Sequence, residues 1–171
     1  MKSQLLRDAG VALVLALVAP ACAPHPDPGP TVSIGLSKQS VALEQTAQGP
    51  TLKISAIITN GSTQIVLVST CEYALDQYRY ALATGRISDD WLEVWRPSCT
   101  NENSLAYTPL GPGESTSIPI TVIATPAFAP DFSAEPGTYR FRFFLSIQVG
   151  GEYQQLPRER TVSEPFTLLA Q

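Results

Sequence analysis

GTYRFRFFLSIQV, residues 137–149, decides what kind of fold this chain can have. Tyr139, Phe141, Phe143 and Leu145 occupy one side of a period-two repeat, and Arg140, Arg142 and Phe144 occupy the other. Side chains of an extended strand alternate between faces, so the pattern predicts a strand with one ring-rich face turned to a core. Gly150-Gly151 follows as a turn, and TVSEPFTLLA (161–170) supplies a final strand.

The same period runs outward to the N-terminal side. Val32, Ile34 and Leu36 alternate with polar or small residues, and TLKISAIIT (51–59) sets Leu52, Ile54, Ala56 and Ile58 against Thr51, Lys53, Ser55 and Thr59. Asn60-Gly61 reads as a turn, with QIVLVST (64–70) expected to pair back as the second strand of a hairpin. Tyr78, Tyr80 and Leu82 alternate before a turn at Gly85, and Ser88-Asp89-Asp90 reads as a solvated turn. Trp91, Glu93 and Trp95 are expected on one face of a short strand. LGPGES (110–115) is a tight turn, TSIPITVIA (116–124) a strand, and residues 125–137 a proline-rich loop. Pro119 marks its strand as a sheet edge or a bulge, because proline cannot donate to a ladder. Seven to eight short strands between Gly/Pro turns, with no sustained helical period, predict an all-β, immunoglobulin-like antiparallel β-sandwich.

EPGTYRF (135–141) resembles the tyrosine-corner region of immunoglobulin-like folds, with Tyr139 near the start of the penultimate strand. Antibody-type domains carry a cysteine two residues later. Phe141 stands there, so the resemblance implies a packed ring in place of the inter-sheet bridge. More broadly, ITNGSTQIVLVSTC, LGPGES, PGTYRFRFFL and VSEPFTL resemble the single-domain immunoglobulin-like lipoproteins of bacteria, similar in layout to the BsuPI type of proteinase-inhibitor domain. These are turn and core signals covering roughly residues 31–170, so the likeness speaks to fold and carries no inhibitory residue.

Lys2 and Arg7, the apolar run Val11 to Val18 and the small residues Ala19 and Ala21 form a secretory signal, expected over 1–21. The run is far shorter than the roughly 20 residues of a membrane-spanning helix. Cys22 follows Ala21 as in the lipobox of bacterial lipoproteins, although Ala19 and Pro20 depart from its usual residues. Ordinary cleavage that leaves Cys22 unmodified, or a cut after Ala23 that removes it, are the alternatives. APHPDPGP (23–30) would hold the chain extended as a tether, which suits a lipid-anchored Cys22. The folded domain is then 31–171, exported and facing the periplasm or cell surface.

With Cys22 lipidated or removed, Cys71 and Cys99 remain as an even pair in an oxidising compartment. A disulfide between them closes a loop of about thirty residues and is worth on the order of 3 kcal/mol. Two cysteines without a nearby histidine do not make a zinc site, since the only histidine, His25, lies in the tether.

From Cys22 onward nine Lys+Arg stand against fourteen Asp+Glu, a net charge of −5, which argues against nucleic acid as a partner. No G-x-S-x-G elbow is present, and no histidine accompanies the many serines. Asp89-Asp90 with Glu93 nearby offer the paired carboxylates a glycosidase needs but read as a solvated turn, and Asp89, Asp90 and Glu102 lack the oxygen-ligand spacing of a calcium loop. Neither a catalytic residue, a metal site nor a cofactor is assigned. The central region is instead rich in rings, and Trp91, Trp95 and Tyr107, with Arg140 and Arg142, are the candidate binding residues. The expectation is a non-enzymatic envelope module that binds a protein or other envelope partner. The alternatives are a proteinase inhibitor with a protruding loop at 124–136 or 84–104, and an envelope structural or accessory domain without a small ligand.

Overall fold

A computed structural model describes residues 31–83, 86–99, 107–126, 129, 132 and 134–170, with backbone alone at 80–83 and 86–90. Cys22, His25, the signal segment, the tether and Glu102 lie outside the described residues, as do the side chains of Asp89 and Asp90.

The chain is an all-β, immunoglobulin-like sandwich. Its strands are β1 (Val32–Leu36), β2 (Ser40–Val41), β3 (Glu44–Thr46), β4 (Gly49–Asn60), β5 (Val66–Ser69), β6 (Tyr73–Ala83) and β7 (Arg86–Trp95). After them come β8 (Tyr107–Leu110), β9 (Ser115–Ile123), β10 (Gly137–Phe143), β11 (Ser146–Val149), β12 (Glu152–Gln155) and β13 (Phe166–Leu168). The number exceeds seven to eight because the chain changes sheet between β1 and β2 and adds a hairpin, β11–β12, before the last strand.

In sheet I, β4 pairs antiparallel with β1, β3 and β9. Sheet II has the order β2-β13-β10-β6-β7, in which only the short β2–β13 pair is parallel, and sheet III the order β12-β11-β5-β8. Leu52, Ile54 and Ile58 of β4 and Ile118, Ile120 and Val122 of β9 share one buried cluster with Leu75, Tyr139, Phe141, Phe166 and Leu168 of sheet II. The alternation in 51–59 and 137–145 sorts core from surface as expected, because each sheet buries one face, except at Thr51 and Arg142, which are buried as well.

Phe141 is fully buried and stacks on Phe166 with centroids 5.5 Å apart, which fills the place of a bridging cysteine with ring contact. The Tyr139 hydroxyl donates to the Glu135 carbonyl at 2.7 Å and accepts from Gln77 Nε2 at 3.0 Å, so the tyrosine corner is formed. Burial, reinforced by the charge of Glu135 against the opposing pull of Arg79, pushes the Tyr139 phenol up to about 12.

Pro119 sits opposite Ser55, whose backbone is already engaged on its other side: Ser37 N donates to Ser55 O at 2.9 Å, and Ser55 N to Ser37 Oγ at 3.0 Å. The missing N–H of Pro119 thus points away from β4, and among the described residues β9 pairs with β4 alone. It is an edge strand.

Two expectations need correction. QIVLVST does not fold back on β4, since β5 pairs with β8 and β11 in sheet III. Asn60 is the reason: its fully buried side chain donates to the carbonyls of Gln64 (2.7 Å) and Leu110 (2.9 Å), with Gly111 O at 3.1 Å, and its Oδ1 accepts from Ser62 N and Oγ. These bonds bind the chain into a crossover between sheets instead of a hairpin turn. Asp89-Asp90 is likewise not a turn. Both residues lie within β7, paired with Tyr80 and Arg79, because the β6–β7 hairpin extends to residues 83 and 86.

Candidate binding face beside the disulfide

Cys71 and Cys99 form the disulfide, with Cα atoms 6.0 Å apart. Cys71 precedes β6 and Cys99 follows β7, so the bridge closes the open end of that hairpin.

Opposite residues in a strand pair share a face. Arg142 lies opposite Ala74 and Arg140 opposite Asp76, so both arginines and Asp76 belong to the outer face of sheet II. There Arg142 grips Asp76 in a fork, Nε to Oδ2 at 3.0 Å and Nη2 to Oδ1 at 2.9 Å, and donates to Glu93 Oε2 at 2.7 Å. Arg140 Nε lies 3.6 Å from Asp76 Oδ2 while its guanidinium covers the Trp91 ring at 4.1 Å. Arg142 and Arg96 both lie over Phe144, at 5.5 and 4.8 Å. Arg140 Nε and Arg142 Nη1 are buried without a hydrogen bond, and the ring faces beside these guanidinium groups give the cations their remaining favourable surroundings. The result is a ladder from Trp91 through Arg140, Asp76 and Arg142 to Phe144 and Arg96.

In the ladder three guanidinium groups share the two carboxylates of Asp76 and Glu93. Burial alone would raise Glu93, but hydrogen bonds from Arg96 and Arg142 outweigh it and hold the carboxyl below its usual range. The bonds that Arg142 donates to Asp76 and Glu93 raise its guanidinium against the cost of burial. Burial pulls Arg140 down, opposed by Asp76.

Trp91 and Trp95 do not share a face. Glu93 pairs with Asp76 and Trp95 with Leu75, so Val94 is an extra residue that turns Trp95 to the opposite side. Trp95 packs on Tyr73 at 5.9 Å against the core, whereas Trp91 stays with the outer face beside Tyr78 at 5.3 Å. A single-strand reading could not foresee the bulge, so the expectation that Trp91, Glu93 and Trp95 share a face fails at Trp95.

Beyond Phe144 the ladder opens into a cleft of about 600 Å³ beside the disulfide. Tyr107 of β8 and Tyr153 of β12 line it, with Ser146 and Gln155 between them. The registers Ser69 with Tyr107, Leu67 with Pro109 and Ser146, Ser146 with Gln155, and Gln148 with Tyr153 place these residues on one face of sheet III. Tyr107 is 45% exposed and Tyr153 56%. The Tyr107 hydroxyl donates to Glu72 Oε2 at 2.9 Å, a bond that raises the phenol, helped by partial burial. Arg96, on the same cleft, is held by a fork to Glu93 at 3.1 and 2.9 Å.

Of the predicted residues, then, Cys71, Cys99 and Tyr107 meet in the cleft, while Trp91, Arg140 and Arg142 form the ladder that braces its Phe144 wall. Tyr153, Gln155, Ser146 and Arg96 were not anticipated. A two-residue Gly150-Gly151 turn, with φ of 61° and 90°, aligns Gln148 with Tyr153 and Ser146 with Gln155, and that signal was available in the sequence.

By sequence the chain matches no protein-family model and no curated protein. Among solved structures it is similar to the putative ApaA protein from Bordetella pertussis, at 17% identity over 81% of this chain and 91% of that one, TM-score 0.39. It is also similar to the CARDB domain of the PF1109 protein from Pyrococcus furiosus, solved with di-metal ions, at 11% identity over 81% and 86%, TM-score 0.34. A third likeness is to the ASH/PapD-like domain of human CEP192, at 16% identity over 91% and 94%, TM-score 0.34. None of these likenesses transfers a residue role or an activity.

Proposed function

We propose that the chain is a non-enzymatic module of the cell envelope, anchored through a lipid on Cys22, that binds a protein or other envelope partner in the cleft beside the Cys71–Cys99 disulfide. The observation that carries this reading is the pair of exposed tyrosines, Tyr107 and Tyr153, on one open face of sheet III with a braced ring, Phe144, at its wall. Exposed rings on a rigid sheet give a large contact area at low entropic cost. The ladder favours binding over catalysis, because Asp76 and Glu93 are occupied by guanidinium groups. A proteinase inhibitor of the BsuPI type needs a protruding loop. In 124–136 the described Ala129 and Phe132 are buried, Phe132 edge-on to Tyr139 at 5.7 Å, which favours the binding module.

Photo-cross-linking residues placed at 107 and 153 in the native envelope test the reading, with Ile57, exposed on β4, as the control position. Discrete adducts at 107 and 153 but not at 57 are expected. No adduct, or equal adducts at all three, overturns it. The intact mass of the protein from the same membranes tests the anchor: acyl mass on a chain beginning at Cys22 is expected, and an unmodified N-terminus refutes it.

A further inference from the structure

The cleft has chemistry that selects among ligands. We infer that it takes an uncharged, extended oligosaccharide, an inference that rests on the binding reading above and names the ligand of that same site.

Charge is the first argument. The two ionic side chains on the cleft are already matched, Glu72 by the Tyr107 hydroxyl and Arg96 by the fork to Glu93. They are of opposite sign, so a ligand group of either charge that approaches one of them is repelled by the other, and the cleft as a whole rewards neither a charged terminus nor a phosphate.

Shape and polarity give the second. A peptide side chain is commonly anchored in a deep apolar pocket, whereas this cleft is open and sets the polar side chains of Ser146 and Gln155 beside Phe144 and two exposed phenols. A pyranose presents apolar CH faces and a rim of hydroxyls. The rings match the faces, and the hydroxyl and amide match the rim, so each polar group buried on binding has a partner.

Spacing supplies the third. Tyr107 and Tyr153 are three strand spacings apart across β8, β5, β11 and β12, and the registers offset them by four residues along the strands. Their Cα atoms are therefore roughly 20 Å apart along a diagonal of the sheet. With their backbones that far apart, a chain of several sugars can lie along the diagonal from one ring to the other.

The test uses the full exported chain and immobilised β-linked cello- and N-acetylchito-oligosaccharides of one to six sugars. Binding that strengthens with length until both tyrosines are spanned is expected. Tyr107→Ala and Tyr153→Ala should each weaken it at least tenfold, Tyr107→Phe should retain most of it by keeping the ring, and Ile57→Ala should leave it unchanged. Binding to none of these sugars, or binding indifferent to both alanine variants, overturns the inference. Protein adducts at 107 and 153 without sugar binding would overturn it while leaving the binding reading intact. The absence of both adducts and sugar binding would overturn both.

Discussion

Asp76 shows how a single residue organises the outer face of sheet II. Its side chain is 3% exposed and meets Arg142 in a fork and Arg140 at longer range. Asp76→Asn would leave Arg142 buried with only Glu93 for a counter-ion, and breaking a buried pair costs about 3 kcal/mol. Chemical denaturation should show that loss, whereas Glu44→Gln, which removes only the exposed pair with Lys53, should leave the midpoint unmoved. Glu93 adds an acid limit. Its carboxyl is lowered in the folded state, so its contribution is present above the ordinary value of 4.5 and is lost as pH falls through the lower folded value. A melting-temperature profile should fall off in acid, and Glu93→Gln should flatten that limb. Tyr139 sets the opposite limit: its raised phenol means stability is lost as pH climbs from 10 toward about 12. Tyrosinate absorbance should show late-titrating groups, Tyr73 and Tyr107 among them, and lose one of these in Tyr139→Phe, a variant that also loses the bond to Glu135 and about 1 kcal/mol.

The strands carry constraints that no single residue shows. Pro119 costs β9 no hydrogen bond, because its nitrogen faces the free edge. Pro119→Ser should therefore change stability by less than about 0.5 kcal/mol, yet it restores a donor to a nine-residue edge strand that could then pair with another chain. Sedimentation of the two proteins at equal concentration should show more self-association in the variant, and identical behaviour would refute this role. The bulge at Val94 acts through register in the same way, giving Trp91 to the ladder and Trp95 to the core.

At the scale of the molecule the disulfide joins the chain before β6 to the chain after β7, across 28 residues of sequence. Its reduction should lower stability by on the order of 3 kcal/mol. Since Cys71 and Cys99 also line the cleft, reduction should weaken ligand binding before it unfolds the core. Calorimetry and binding measured on the same reduced sample would separate the two effects, and unchanged binding would detach the bridge from the cleft.

The sequence by itself determined the sandwich, because period-two alternation, glycine turns and the Tyr139 corner are local signals that burial of one sheet face obliges the chain to obey. With Cys22 set aside, cysteine parity also pointed to the pairing of Cys71 with Cys99 that the structure holds. Only the tertiary structure decided that β5 leaves β4 for another sheet, that Trp95 turns inward, and that Tyr107 and Tyr153 line one cleft. Each depends on a partner distant in sequence: Asn60 on the carbonyl of Leu110, Trp95 on the register against Leu75, and the two tyrosines on strands β5 and β11 between them. Alternation tells which face a residue occupies, and strand order, which sets what lies beside it, is not written within any one strand.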